Sequence, residues 1–143
     1  MRIVVFIVIG VILAFAGEWT YRTFIRPIDP LAPEVLALAG HFDRNGINVR
    51  PYAVRHGFHH SEVLASAAFK ISNYPLPASI TLCPSEDAAV EHLESIKRSP
   101  NLMYPTQNGR LVMVLPSRGD DTSEMAAKVV GVFSSFEGGA APK

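Results

Sequence analysis

The strongest constraint on folding lies at the N-terminus. After Met1 and Arg2, the run IVVFIVIGVILAFAG (residues 3–17) is 15 residues long and carries neither a charge nor a strongly hydrogen-bonding side chain. A soluble domain does not begin with such a run, because nothing there shields its apolar side chains from water. It directs the chain to a membrane. Two outcomes are compatible with it. Ala14-Phe15-Ala16 before Gly17 has the small-x-small form at which export signals are cut. Against cutting, EWTYRTFI continues without a helix breaker as far as Pro27. A helix over residues 1–25 would reach roughly 37 Å, enough to cross a bilayer. Trp19 and Tyr21 then fall at the aromatic belt, and Arg22 and Arg26 extend to the head groups. Arg26 precedes Pro27, which disfavours helical dihedrals, so the anchor is expected over residues 1–26.

Arg2 and the amino group on one side nearly balance Arg22 and Arg26 on the other, so charge alone does not orient the helix. A two-residue head suits an N-terminus kept in the cytoplasm with the bulk of the chain exported. The cleaved form would reach the same compartment. The expectation is a single-pass protein of the bacterial inner membrane with its domain in the periplasm, in contact with the lipid bilayer through Trp19, Tyr21, Arg22 and Arg26.

From Pro27 the character changes. Pro27, Pro30 and Pro33 make residues 27–33 a stiff extended spacer. The domain is expected over residues 34–136. PEVLALAGHFDRNG opens with Pro33 at a first helical position, bears Val35, Leu36, Leu38, Ala39 and Phe42 as an apolar stripe, and closes on Asn45-Gly46. INVRPYAV and SEVLASAAFKIS read as two antiparallel strands, since Val63, Ala65, Ala67, Phe69 and Ile71 alternate with their neighbours. ASITLC is a short third strand. Ser85 caps a helix with Ala89, Val90, Leu93 and Ile96 inward. Then come an edge strand interrupted by Pro105, an Asn108-Gly109 turn and an apolar strand over residues 111–115 that belongs in the middle of the sheet. Asp121-x-x-Glu124 resembles a capping box before a helix bearing Met125, Val129, Val132, Phe133 and Phe136, and residues 137–143 read as a disordered tail. The sum is an α+β fold: an N-terminal membrane helix, then a small sandwich of a mostly antiparallel sheet with helices on one face.

With 13 basic and 13 acidic residues, the chain has no long-range field to draw nucleic acid, which is excluded as a partner. The single cysteine, Cys83, stands outside any C-x-x-C spacing and reads as a strand-end thiol.

One local cluster invites a chemical reading. VRHGFHHSEV places His56, His59 and His60, three of five histidines, in the loop between the first two strands. Imidazoles bind zinc or copper, but a stable site wants three or four protein ligands. Glu62, His41 and His92 are the candidates to complete it, none at a diagnostic spacing. Neighbours on an extended strand point to opposite faces, so His59 and His60 share an ion only if the loop bends. The alternative is a solvated hairpin tip turned at Gly57, which Arg55 and the histidines make mildly basic; there Arg55 and His59 would contact a partner or lipid head groups.

Enzyme patterns are weaker. Ser61-Glu62 lies beside His59 and His60 without a G-x-S-x-G elbow, and Asp120-Asp121 stands where acids favour a helix start. The sequence therefore points to a non-catalytic accessory subunit of a larger membrane protein complex, needing no cofactor. The alternative is an exported metal- or haem-associated protein holding zinc or copper at His56, His59 and His60.

Overall fold

The structure, a computed structural model, describes residues 30–54, 63–99, 104–116 and 123–139. In chain order these hold α1 (Pro33–Arg44), β1 (Val49–Ala53), β2 (Ala65–Ile71), β3 (Ala78–Leu82), α2 (Glu86–Lys97), β4 (Pro105–Asn108), β5 (Leu111–Val114), α3 (Ser123–Ser134) and a 3-10 turn (Glu137–Gly139). The fold is α+β, with five strands in the spatial order β1-β2-β3-β5-β4 and every pairing antiparallel. Among the described residues no helix is long and apolar enough to cross a membrane. The anchor expected over residues 1–26 lies outside them.

Local chemistry accounts for the element ends. Pro33 sits in the first turn of α1, where its missing N–H costs nothing, and Gly46 leaves the helix at φ +75°. The Ser85 hydroxyl accepts from the Ala88 N–H at 3.1 Å and starts α2. Between β2 and β3 the chain turns through Asn73 at φ +64°, and the Tyr74 hydroxyl donates to Pro116 O at 2.8 Å, which ties this turn to the end of β5. The capping box lies partly outside the described residues, since α3 is seen from Ser123.

The two faces of the sheet follow from strand parity. Val49, Ala67, Phe69, Ile71, Ala78, Ile80, Leu82, Leu111 and Met113 point one way and form a single core with Val35, Leu38, Ala39 and Phe42 of α1 and Ala126, Val129 and Phe133 of α3. Phe42 meets Phe69 edge to face with ring centres 6.0 Å apart. The opposite face has its own cluster, Cys83, Ala89 and Val112, with Leu93 and Ile96 of α2 packed over it. The expectation of helices on one face is therefore corrected: α1 and α3 cover one side and α2 the other. The reason is visible in LVMV, which is apolar at every position and buried throughout. A strand of that kind needs cover on both faces.

Two further expectations change at the hairpin. The two-residue turn is Gly109-Arg110, with Gly109 at φ +56°, and Asn108 is the last paired residue of β4. The Asn108 Nδ2 donates to Phe133 O at 2.8 Å and to Phe136 O at 2.7 Å, capping the carbonyl end of α3. The tail expected from residue 137 is also corrected: Glu137–Gly139 is an ordered 3-10 turn, Gly139 is buried, and a Cβ there would collide with the Asn108 carbonyl oxygen.

Both outer strands are closed to a further strand. Val54 N–H donates to Ser66 O and Ser72 N–H to Asn48 O, so even-numbered residues of β1 bond inward and Pro51 points outward, where its lack of an N–H removes an edge donor. Asp43 Oδ1 accepts the outward Val49 N–H at 3.4 Å. On the far edge the same alternation turns Thr106 and Asn108 inward and Pro105 outward. Strand addition is disfavoured at either side.

Candidate functional site

The end of the sheet at which the chain comes into the domain is built around one residue. Arg110 is 9% exposed. Its Nη2 lies 3.2 Å from Glu34 Oε1 in the first turn of α1. Its N–H donates to Gly139 O at 2.8 Å, and its carbonyl accepts the Cys83 N–H at 2.9 Å. Through its side chain and its own N–H and C=O, this one residue thus joins α1, the terminal 3-10 turn and the residue that follows β3. The Nε is buried and has no hydrogen-bond partner among the described residues. A buried cation is costly unless compensated, so the Glu34 carboxylate is what makes this position tolerable. Glu34 itself is partly exposed, and water screens its share.

The same end bears the loop with the histidines. Ala53 pairs with Ala67, Ala65 with Leu82, and Leu82 with Leu111, so Val54 and Val63, which flank residues 55–62, lie at the end where the Arg110 turn lies. Arg55, His56, His59, His60 and Glu62 lie outside the described residues, as do Trp19, Tyr21, Arg22 and Arg26. The two histidines considered as additional ligands are described, and the fold separates them. His41 on α1 donates from Nε2 to Val132 O at 3.1 Å, with Ser135 Oγ at 3.1 Å and the Phe136 ring at 5.4 Å. A carbonyl only accepts, so this Nε2 carries the proton and does not ligate a metal in this arrangement. His92 is on α2, across the sheet from α1. Among the described residues, no three His, Cys, Asp or Glu side chains group closely enough to hold a metal ion.

A second surface emerges from strand parity. Over β4 and β5 the face opposite α1 and α3 is covered by α2; over β1 and β2 no other element among the described residues packs on it, although Ala68 in the middle of that half is itself buried. Arg50, Tyr52 and Val54 of β1 and its extension point there, beside Ser66, Ala68 and Lys70 of β2 and Ser79 and Thr81 of β3. Tyr52 is 46% and Val54 41% exposed. Arg50 stands directly opposite Lys70, and among the described residues neither has an ion-pair partner. Like charges placed opposite each other on adjacent strands repel. Facing outward on α2, Asp87, Glu91 and Glu94 are exposed at positions that share one ridge. Lys97 Nζ lies 2.8 Å from Glu94 Oε1, and its hydrogen bond and charge hold the Glu94 carboxyl below the usual carboxylate range.

Sequence reasoning passed over Arg110 and Asn108, which read there as turn chemistry. Nothing local marks a turn arginine as buried. The bare face was more accessible, because the alternation in VRPYAV already separates Arg50, Tyr52 and Val54 from Val49, Pro51 and Ala53. No protein-family model, curated protein or solved structure matches the chain.

Proposed function

We propose that the protein is a non-catalytic, single-pass accessory subunit of a larger membrane complex in the bacterial inner membrane, with its α+β domain held in the periplasm by the N-terminal helix. One observation carries this reading, the way the spacer meets the core. Pro33 opens α1, and the next residue, Glu34, is bonded to the buried Arg110. The first turn of α1 is thus fixed to the packed sheet, which supports a domain held at a set distance from a bilayer by the residues before it. An extended, proline-rich stretch over residues 27–32 would span about 19 Å. Val54 and Val63, which flank the segment with Arg55, His56, His59 and His60, lie at the same end of the sheet as Glu34, so in an anchored chain that segment would start and finish on the side from which the anchor enters.

The test is gentle detergent extraction of the full-length tagged protein from its own membrane, with intact-mass analysis. A chain that retains residues 1–25 and travels in fixed stoichiometry with a larger assembly is the expected result. A chain that begins at Gly17, soluble and alone, overturns the reading. Stoichiometric zinc or copper uptake by such a chain would move the function to His56, His59 and His60.

A further inference from the structure

We propose that the bare half of the sheet is covered by the acidic ridge of α2 from a second copy of this chain, in a two-fold dimer. Shape is the first argument. α2 lies over one half of its face and leaves a step about one helix diameter deep over the other, roughly 10 Å. Two copies placed face to face seat each helix in the other's step, a self-complementary contact that closes at two.

Charge is the second argument. Arg50 and Lys70 repel each other on the bare half, with no acid among Arg50, Tyr52, Val54, Ser66, Ala68, Lys70, Ser79 and Thr81. The outward ridge of α2 carries Asp87, Glu91 and Glu94 and ends at Arg98; Glu94 is shared with Lys97, so Asp87 and Glu91 supply the ridge's net negative charge. Position along the strands is the third. Gln107 Nε2 donates to Glu86 O at 3.4 Å, which sets the start of α2 level with the row Gln107, Val112, Thr81, Ser66 and Val54. From that row, Arg50 and Lys70 are four residues along, about 13 Å. Glu94 is eight helical residues beyond Glu86, about 12 Å. A two-fold axis parallel to the strands preserves these heights, so the Glu94 of one copy arrives at the Arg50–Lys70 pair of the other, and Glu91 near Tyr52. That axis also leaves the start of α1 in both copies at the same end. Pro51 and Pro105 close the strand edges and leave face-on contact as the available mode.

The contact is small, about 400 Å² per copy or about 800 Å² in all from strand and helix spacings, which is below the size of a stable specific pair and in the range of weak, transient ones. Pairing is therefore weak in dilute solution and raised by confinement to a membrane plane. The inference stands apart from the anchored reading, since a cleaved chain would pair by the same faces at higher concentration.

The experiment uses the full-length chain in its membrane with Tyr52→Cys and Glu91→Cys together, under a mild oxidant. An interchain disulfide is expected, well above that of a control with Leu36→Cys and Glu91→Cys, because Leu36 is exposed on the far side in α1. Lys70→Glu alone and Glu94→Lys alone should each weaken pairing about tenfold. Mixing those two chains should restore it, since both contacts of the mixed dimer again join opposite signs. Lys70→Glu converts the repelling Arg50–Lys70 pair into an attractive one, so lost pairing is not lost folding. A yield equal to the control and indifferent to these charges overturns the proposal. So does a monomer whose Tyr52→Cys thiol is shielded from a soluble alkylating reagent in the membrane, a result that gives the face to a different protein.

Discussion

The face of the sheet under α1 and α3 and the face under α2 are pleats of the same five strands, and they are covered to different extents. On the first side two helices span the sheet, and Phe42, Phe69 and Phe133 are fully buried between the layers. On the second, a single helix buries Cys83, Ala89 and Val112 and leaves Tyr52 and Val54 in water. Burial of apolar area is the main favourable term in folding, so the two sides divide the labour. The doubly covered side holds most of the core, while the second side is, among the described residues, covered only over β4 and β5.

Substitutions can break or sharpen that division. Phe69→Ala on the covered side should cost about 3–5 kcal/mol in denaturant unfolding followed by circular dichroism, enough to unfold a marginal domain. Asn108→Ala removes the amide that binds Phe133 O and Phe136 O, and should cost about 2–3 kcal/mol and release the last turn to hydrogen exchange. Val112→Ala, in the smaller cluster beneath α2, should cost about 1–2 kcal/mol; a loss matching Phe69→Ala would erase the contrast between the faces. Tyr52→Ser on the bare half should stay within about 0.5 kcal/mol for the isolated chain while lowering pairing in the membrane. Glu94→Gln should change the unfolding midpoint least. The Lys97 contact holds the Glu94 carboxyl low, so its contribution is present above the ordinary carboxylate range and lost as pH falls through the lowered value. Both side chains are exposed at the surface, and screening by water keeps that contribution small.

What could be read in advance, and what could not, divides along the same line. Periodicity located all three described helices and all five strands, because an apolar stripe or alternation is a property of a short segment. Side assignment failed, since which face a helix takes depends on contacts across many residues. Val90 and Leu36 show the local limit: each fits an apolar stripe by spacing, yet Val90 is 46% and Leu36 50% exposed, because the stripe is wider than the surface it packs on. Arg110 was illegible for a different reason. Its burial is decided by Glu34 and Gly139, far from it in sequence, and nothing in QNGR reports them.

That arrangement at Arg110 has a topological consequence. The segment that opens the folded domain and the segment that closes it are bonded to the same residue, through Glu34 and Gly139. The domain is thus nearly a ring. A short linker from residue 139 back to residue 30, with the chain reopened at the Asn73 turn between β2 and β3, should keep every strand pairing in place, so a polypeptide that begins at β3 should still reach this fold.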